Sequence, residues 1–443
     1  MSVPRVRLVV LNYNGGEQLV RCIDHLERLD WPPDRLDIVV VDNASSDGSD
    51  RPLEARSRVR LIRSERNLGF PGNNLALRDL DGLDFVGLVN NDAFVEPGYL
   101  HPLVAALEAD ADVGAACPKI LFAPRFLELV VVAPTHRVPP DGRDLGVRVS
   151  GLEVGGEDRW RSAVFGRGAY HPEPGPPGED AFRWLSGRAE ISVPAAEGEA
   201  GARIRLASDR PVKAELDGGA GATPVEVGPV PTWHDVVLDG APYDVVNNAG
   251  SLLVNGTWGA DRGFLERDTG QYDEAQDVFA WCGAGVLFRP DYLADVGLFD
   301  ERFFMYYEDT DMAWRGQARG WRYRYVPTAV MRHLHAATSV EGSPLFQHFT
   351  ERNRLLMLTR NAPAPIAARA AARFLLSTAS YAVRDVARPA TQGRRPQPGV
   401  VAARLGSFGG YLRLLPRALS DRRRLRGRQR VHDEAITGWS VTR

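Results

Sequence analysis

The first 120 residues alternate short apolar runs with helical patterns, and this alternation restricts the fold more than any other feature of the chain. Nearly continuous apolar runs are typical of strands buried on both faces of a parallel sheet. The β-α-β-α order predicts an α/β fold with helices on both faces of that sheet. The apolar runs are VRLVVLN (6–12), LDIVVVD (36–42), RVRLIR (58–63) and FVGLVNND (85–92).

Polar side chains stand where these predicted strands end, and ligands of such sheets bind at the carboxyl ends of the strands. Asn12 and Asp42 each follow a buried run, and Asp42 is followed by small polar residues. A carboxylate at this place accepts hydrogen bonds from a nucleobase or a ribose. The alternative is a loop in which Asp47 or Ser49 caps the next helix.

The segment VNND (89–92) combines one carboxylate with two side-chain amides. Asp92, with carbonyl oxygens from Asn90 and Asn91, fits a hard cation such as Mg²⁺ or Mn²⁺ that also binds substrate phosphates. The alternative is an Asx turn.

The segment ERNLGFPGNN (65–74), which includes Asn67 and Gly69, breaks the chain and starts a helix, where backbone amides can face a ligand. Neither it nor NYNGGEQ (12–18) has the glycine pattern of a dinucleotide fold or a P-loop, which disfavours a dehydrogenase or an NTPase.

Three carboxylates follow a group of aromatic residues in the stretch FMYYEDTDMAWR (304–315). Acids in the first turn of a helix are stabilised by its dipole, and Asp311 with Arg315 has the spacing of an i,i+4 pair. Apolar walls also raise the pKa of a carboxyl and make it a better base near neutral pH. These acids are therefore either helix-start residues, which explains Asp311 with Arg315 well, or a general base in an apolar-walled pocket.

Two histidines, His333 and His335, lie two residues apart, so on a strand they face the same side. Either is a plausible further metal ligand, although a lone histidine is more often structural. Cys22, Cys117 and Cys282 are too few and too widely spaced for a disulfide framework or a zinc pattern. A reducing, cytoplasmic setting is the expectation.

Charge is distributed unevenly along the chain. The net formal charge is −3, but from residue 360 onward 17 arginines face four acids, a balance of +13. Such a basic region is typical of contact with an anionic membrane, nucleic acid or an acidic partner. No stretch is apolar enough for a transmembrane helix. The N-terminal apolar run is too short for a signal peptide and is interpreted as a strand.

Changes in composition and hydrophobic periodicity along the chain predict four regions. Residues 1–123 carry the alternating strands and helices, and residues 244–345 resume that pattern. Between them, residues 124–243 are rich in Gly and Pro, with short alternating runs typical of an inserted β-sandwich. Residues 346–443 are predicted to be basic helices and a tail.

Six motifs in this order resemble the family 2 inverting glycosyltransferases of the GT-A fold, and are most similar to the rhamnosyltransferase-like and galactofuranosyltransferase-like branch. The resemblance covers roughly residues 5–123 and 245–340. The motifs are VVLNYNGGEQLVRCIDHL, VVVDNASSDGS, RNLGFPGNN, GLVNNDAFVEPGYL, WCGAGVLFRPDYLADVGLFDERFFMYYEDTDMAWR and VMRHLHAATS.

The resemblance implies a role for each candidate residue. Asp309, supported by Glu308, is the catalytic base, and Asp92 with His333 binds Mg²⁺ or Mn²⁺, His335 being the rival ligand. Asn90 stands where many members have Asp, which puts coordination through that position in doubt. The donor-binding residues are Asn12, Asp42, Asn67, Gly69, Asn90 and Asn91, and the acceptor-binding residues are Trp281, Cys282 and Gly283.

The resemblance also implies the reaction: a sugar moves from a nucleotide-diphosphate donor, dTDP-rhamnose or a UDP-sugar, to a glycan or lipid-linked acceptor of the cell envelope. The expected location is the cytoplasm, with peripheral contact of the basic C-terminal region at the inner face of the plasma membrane. Nucleic acid is not an expected partner. The alternative function is a non-catalytic carbohydrate-binding protein that uses the β-insert on a GT-A scaffold.

Overall fold

The computed structural model describes residues 3–137, 142–173, 175, 181–195, 198–334 and 343–442. The chain divides into two compact units. The first unit comprises Met1–Leu121, Asn247–Gly263 and Gly270–Arg443, and the second comprises Phe122–Val246 and Phe264–Thr269.

The first unit begins with the predicted alternation of strands and helices. Its first elements are β1 (Val6–Asn12), α1 (Gly16–Glu27), β2 (Leu36–Asp42), β3 (Val59–Arg63), α2 (Asn74–Leu77), β4 (Phe85–Asn90), β5 (Ala93–Val95), α3 (Leu100–Ala109) and β6 (Val113–Phe122). Strand β1 pairs in parallel with β2 and β4, and β2 pairs in parallel with β3. Helix α1 buries Leu19, Cys22, Ile23 and Leu26, which recur at helical spacing and belong to the core of the unit.

The second unit is built from strands that pair antiparallel. Its elements are β7 (Phe126–Val132), β8 (Arg148–Val154), β9 (Glu157–Asp158), β10 (Val164–Phe165), β11 (Arg183–Trp184), β12 (Arg188–Pro194), β13 (Gly201–Ala207), β14 (Val212–Asp217), β15 (Thr223–Val227) and β16 (Thr232–Val237).

Two sheets form this unit, in the orders β10-β12-β7-β14-β15 and β11-β8-β13-β16 within the described residues. Alternate residues of β12 and β13 are buried, among them Ile191 and Ile204, and both sheets contribute to one apolar core. This period of two is what a half-buried strand requires, because successive side chains point to opposite faces.

The remainder of the first unit follows the second unit in the sequence. Its elements are β17 (Val246–Asn248), β18 (Ser251–Val254), β19 (Trp258–Asp261), β20 (Gln276–Val278), β21 (Gly285–Phe288), α4 (Pro290–Val296), α5 (Glu308–Arg319), β22 (Arg322–His333), α6 (Pro344–Asn361), α7 (Ala364–Ala382), α8 (Arg388–Thr391), α9 (Gly399–Gly427), α10 (Asp433–Thr437) and β23 (Ser440–Val441).

The main sheet is mixed, although the strands for which parallel pairing is predicted, β1 to β4, do pair in parallel. Its order is β20-β22-β6-β21-β4-β1-β2-β3, and β21 is antiparallel to both β4 and β6. The sequence pattern cannot show the direction in which β21 pairs, because parallel and antiparallel buried strands can have the same apolar pattern. The parallel part of the sheet, β4-β1-β2-β3, still places the ends of β1, β2 and β4 side by side.

The C-terminal helices belong to the first unit rather than forming a separate region. Helix α6 carries the buried polar residues Asn353, Arg354 and Arg360, and α9 buries Ser407 and Tyr411. The second unit also differs from the predicted insert of 124–243, because it extends to Phe122 and Val246 and includes the separate segment Phe264–Thr269.

Candidate active site

The carboxyl ends of the parallel strands bring three of the predicted donor-binding residues into register. Asn12 on β1 lies opposite Asp42 on β2, and its neighbour Leu11 lies opposite Asn90 on β4. The buried amide Nδ2 of Asn12 donates to Asp42 Oδ1 at 2.9 Å, and Asp42 Oδ2 accepts from the Ser45 backbone N–H at 3.2 Å. The Asp42 carboxylate is thus fixed in orientation at the edge of the sheet.

Asn43 organises the loop that contains Asn67 and Gly69. Its Nδ2 donates to Asn67 Oδ1 at 2.9 Å and to the Gly69 carbonyl at 3.1 Å, and its Oδ1 accepts from the Leu68 N–H at 2.8 Å. Asn67 Oδ1 also accepts from the Gly69 N–H at 2.8 Å. The oxygen of Asn67 therefore shapes this loop, and sequence reasoning missed Asn43, although it lies within the quoted motif VVVDNASSDGS.

Asp92 and His333 lie next to each other. His333 Nε2 is 3.1 Å from Asp92 Oδ1, and His333 Nδ1 is 3.2 Å from Asn247 Oδ1. Asn91 Nδ2 donates to Asn12 Oδ1 at 3.2 Å, which connects this pair to the ends of the parallel strands. His335, the rival ligand, lies outside the described residues.

An unusual backbone turn precedes the acid pair. Phe304, Tyr306 and Tyr307 all have φ near +67°, a left-handed conformation that is costly for aromatic residues. The side-chain amide of Asn353 on α6 donates to the backbone carbonyls of Phe303, Met305 and Tyr306 at 2.7–2.9 Å. These bonds satisfy carbonyls that the turn leaves outside regular structure, and they hold the turn that presents Glu308 and Asp309 at the start of α5.

The two adjacent carboxyls differ in their surroundings. Burial raises the pKa of Glu308 well above its ordinary value, and the charge of Asp309 raises it further. Its Oε2 is buried and has no hydrogen-bond partner among the described residues. Burial also raises the pKa of Asp309, but hydrogen bonds from Thr310 and from the Gly283 backbone oppose that shift. Glu308 therefore retains a proton more readily, which leaves Asp309, partly accessible to solvent, as the carboxylate.

Three loops meet beside this acid pair. The Phe70 N–H donates to the Phe304 carbonyl at 2.7 Å, and Gly283 approaches the Phe70 ring so closely that a Cβ on it would lie 2.7 Å from Phe70 Cζ. Since Gly283 also hydrogen-bonds Asp309, these contacts link the acid pair to the loop at Gly69. Through Asn43, which follows Asp42 in the chain, that loop connects to the strand ends.

The loop WCGAG (281–285), which is predicted to bind the acceptor, contacts the acid pair through its backbone. Trp281 is fully buried and packs edge-on against Phe288 and Phe299, so its side chain belongs to the core, and acceptor binding by this loop stays a prediction. Cys282 is partly exposed, and burial raises the pKa of its thiol well above the usual range, so it stays neutral. Gly283 is the member of the loop that contacts Asp309 directly.

We expect Gly69→Ala to disrupt the turn that presents Asp309. Gly69 has φ +68°, and a Cβ there would lie 1.9 Å from the Phe304 carbonyl oxygen, so the backbones must separate. Any activity that depends on Asp309 should fall at least about tenfold, because a misplacement on the order of 1 Å costs up to about 100-fold.

Gly393→Ala is the matched control for this substitution. Gly393 has nearly the same φ, +67°, but has no atom within 4 Å of the added Cβ. It therefore reports the conformational cost alone, and its activity should stay near that of the parent. Equal activity in both variants would contradict the proposed close approach.

Two comparisons by sequence profile agree with this geometry. The profile described as "Glycosyl transferase family 2" matches residues 8–129, and that described as "Glycosyl transferase family group 2" matches residues 250–355. Residues 8–129 thus resemble a family 2 glycosyltransferase domain. The predicted enzyme class, glycosyltransferase, and the α/β GT-A fold are thereby confirmed. The stretch between the two matches, residues 130–249, contains nearly all of the continuous part of the second unit.

Curated relatives of this glycosyltransferase are similar to parts of the chain. Glycosyltransferase GlyG of Streptococcus pneumoniae is 28% identical over 24% of this chain and 37% of its own. Poly(ribitol-phosphate) beta-N-acetylglucosaminyltransferase TarS of Staphylococcus aureus is 26% identical over 23% of this chain and 18% of its own. The N-acetylglucosaminyl-diphospho-decaprenol L-rhamnosyltransferase of Mycobacterium tuberculosis is 44% identical over 14% of this chain and 20% of its own. The matches thus cover well under half of each relative.

Solved structures similar to this glycosyltransferase include GalNAc-T7 with UDP, GalNAc and Mn²⁺. That structure has a TM-score of 0.45 and 12% identity, and the match covers 81% of this chain and 48% of the other. The mannosyltransferase PcManGT from Pyrobaculum calidifontis in complex with GDP-Man and Mn²⁺ has a TM-score of 0.42 and 16% identity, with 97% and 86% of the two chains covered.

Proposed function

We propose that this glycosyltransferase moves a sugar, with inversion at its anomeric carbon, from a nucleotide-diphosphate donor to a glycan or lipid-linked acceptor in cell-envelope polysaccharide synthesis. One observation carries the proposal. The pair Glu308 and Asp309, at the end of a left-handed turn, is joined by backbone contacts to the loops at Gly69 and Gly283. Such a raised-pKa carboxylate among converging loops is what a general base needs.

In this proposal Asp309 takes the proton of the acceptor hydroxyl. The acceptor oxygen forms a bond to the anomeric carbon, the bond from that carbon to the diphosphate breaks, and the nucleoside diphosphate leaves with the electron pair. A single in-line displacement of this kind inverts the configuration and needs no covalent nucleophile. Because burial and the charge of Asp309 raise the pKa of Glu308, this side chain holds a proton more readily than an ordinary glutamate and adds less negative charge beside Asp309.

The donor is assigned to the edge of the sheet at Asn12 and Asp42. Asp42 accepts hydrogen bonds from the nucleoside, and its orientation is preset by the Asn12 amide. Asn90 and Asn91 stand between this edge and Asp92, so they are assigned to the donor diphosphate. Asn67 contributes through the shape of its loop, because its oxygen already accepts two internal hydrogen bonds.

Asp92 and His333 suit a divalent cation. Asp92 and His333 would hold such a cation through the Asp92 carboxylate and the His333 ring, whose Nδ1 lies 3.2 Å from Asn247 Oδ1 and whose Nε2 lies 3.1 Å from Asp92 Oδ1. The described residues contain no group of three His, Cys, Asp or Glu side chains that could hold a metal by themselves. Substrate phosphates would complete the coordination, as is usual for Mg²⁺. Bound Mg²⁺ or Mn²⁺ would neutralise the leaving diphosphate.

A thermal-shift screen of nucleotide sugars tests the proposal. We expect dTDP-rhamnose or a UDP-sugar to raise the unfolding midpoint in Mn²⁺ and to do so less in EDTA, because a ligand at about 100 times its Kd adds about 2.7 kcal/mol of stability. Asp92→Asn should remove the Mn²⁺-dependent part of the rise in unfolding midpoint. Asp112→Asn, on an exposed turn, should leave that part unchanged. No shift with any sugar nucleotide would refute the proposed activity. The rhamnosyltransferase relative puts dTDP-rhamnose first in the screen.

Helices α7 and α9 support a proposed peripheral contact with an anionic membrane. Leu376 is 70% exposed, and α9 exposes Leu405, Leu412 and Leu419 at intervals of seven residues, on a region with a balance of +13. Apolar side chains among arginines are typical of interfacial helices. Across the described residues, no helix combines the length and apolarity needed to cross a bilayer. Sedimentation with phosphatidylglycerol vesicles, but not with phosphatidylcholine vesicles, is the expected result.

A further inference from the structure

A cavity with an arginine-rich wall lies in the first unit, apart from the predicted donor edge. Its volume is about 530 Å³. The wall comes from α6, α7 and α9 and from the turn before β19. The charged and aromatic residues that matter here are Trp258, Glu351, Arg354, Arg369, Arg373 and Arg404.

The wall carries more positive than negative charge. Glu351 pairs with Arg354 at 3.1 Å and with Arg404 at 3.0 Å. Arg369 and Arg373 are exposed, and neither has an acidic partner within the part of the chain that the structure describes. Since one glutamate faces four arginines, the wall favours an anionic ligand.

Arg354 shows that this is a built site rather than a loose surface cluster. Its side chain is about nine-tenths buried or more, since only 5% of the residue is exposed, and its guanidinium lies 3.8 Å from the centroid of the Trp258 ring. Its Nε–H is buried and has no acceptor among the described residues. The guanidinium is therefore not fully paired within the chain, and its position in the cavity wall is fixed by Glu351 and the Trp258 ring.

The cavity lies close to the proposed base. Gly259 follows Trp258, and its backbone hydrogen-bonds the Tyr307 hydroxyl. A Cβ on Gly259 would lie 3.2 Å from Thr310 Oγ1, and the Thr310 N–H donates to Asp309 Oδ1 at 2.5 Å. The residue after Trp258 therefore lies against Tyr307 and Thr310, the residues on either side of the acid pair.

We propose that this cavity binds a phosphate or diphosphate group carried by the acceptor. Guanidinium groups match phosphate oxygens with paired hydrogen bonds, and the aromatic wall suits the part of the acceptor next to the phosphate. The inference depends on the proposed function, because it assigns the acceptor class of the same enzyme. It predicts that the acceptor carries its phosphate near the hydroxyl that receives the sugar.

Calorimetric titration of inorganic pyrophosphate into the full chain tests the inference. EDTA is present throughout, so that a metal-dependent diphosphate site at the donor edge does not contribute. Arg369→Gln combined with Arg373→Gln should lower the affinity for pyrophosphate at least tenfold. Arg417→Gln, an exposed arginine on α9 outside the cavity, should change it less than twofold. Equal affinity in the parent and the double variant, or no binding to the parent, would overturn the inference.

Two further ligands identify the source of the phosphate. Farnesyl diphosphate binding at least tenfold tighter than pyrophosphate would support a lipid-linked acceptor, and glycerol 3-phosphate binding as tightly as pyrophosphate would support a phosphate-containing glycan. If the double variant loses binding to phosphatidylglycerol vesicles but keeps its pyrophosphate affinity, the arginines form a membrane surface and the inference is wrong.

The donor thermal shift in Mn²⁺ separates this inference from the proposed function. The double variant should keep the full donor shift while its KM for a phosphate-bearing acceptor rises at least tenfold. If sugar nucleotides do not raise the unfolding midpoint of the parent protein, the proposed function is refuted. The pyrophosphate titration then still tests the cavity independently.

Discussion

Asp309→Asn should reduce sugar transfer by about 100- to 10,000-fold while leaving the fold and donor binding intact. The contribution of a positioned general base lies in that range. The amide has the shape of the carboxylate, and its oxygen can still accept from the Thr310 N–H, but it cannot take a proton from an acceptor hydroxyl. Initial rates of transfer and the donor thermal shift in Mn²⁺ are the two measurements.

The pH profile gives an independent reading of the same group. Burial raises the pKa of Asp309 above its ordinary value of 3.8, so the parent should lose activity on acidification at a higher pH than an ordinary aspartate would imply. The base acts only when deprotonated, so activity falls as pH drops through the raised pKa.

An Asp309→Asn variant with more than a tenth of the parental rate would rule out this residue as the base.

Asp311→Asn, two residues further along the same helix, should mainly lower the stability of the fold, whereas Asp309→Asn should mainly lower activity. Asp311 is fully buried, and its Oδ1 accepts from Arg360 Nε at 2.8 Å and from Asn361 Nδ2 at 2.7 Å. Its Oδ2 accepts from Arg315 Nε at 3.0 Å. Removing the charge leaves two buried guanidinium groups poorly compensated, although Arg360 also pairs with Asp300 and Asp421.

We expect a loss of about 3 kcal/mol in the free energy of unfolding, at the lower end of the range for breaking a buried pair, because those two partners remain. Urea denaturation, followed by tryptophan fluorescence, measures it. Asp385→Asn is the control, because that carboxylate pairs with Arg384 at the surface and should leave the midpoint unchanged. A loss below about 1 kcal/mol for Asp311→Asn would show that the buried network is not what fixes α6 to α5.

The pair of substitutions separates chemistry from folding, since both replace an aspartate by asparagine in the first turn of α5. Asp309→Asn should lose activity while its free energy of unfolding stays at the parental value. Asp311→Asn should instead lose stability. If both variants lose stability together, the acid pair is part of the structural network. In that case the division of roles inferred from the sequence is wrong.

Several parts of this site were predictable because they depend on local patterns. Continuous apolar runs place Asn12 and Asp42 at strand ends, and parallel pairing then puts them side by side. The i,i+4 spacing of Asp311 and Arg315 on a helix is observed as a direct ion pair at 3.0 Å. The alternating runs after residue 124 similarly predict the antiparallel strands of the second unit.

Other parts depend on contacts between residues far apart in the chain, which no local pattern encodes. Asn353 lies 50 residues from the Phe303 carbonyl that it binds, and nothing in its own surroundings indicates that contact. Trp281 lies in the loop that the sequence assigns to the acceptor, but its side chain packs edge-on against Phe288 and Phe299 in the core. The antiparallel course of β21 is likewise a matter of pairing rather than of composition.

The sequence by itself determined the alternation of strands and helices and the acids at the start of α5, because hydrophobic period and helix-start chemistry act over a few residues. Only the tertiary structure decided that α6 holds the turn before Asp309, that Glu308 is the more buried acid, and that four arginines line one cavity. Burial and pairing across distant segments set those properties, and they exist only once the chain has folded.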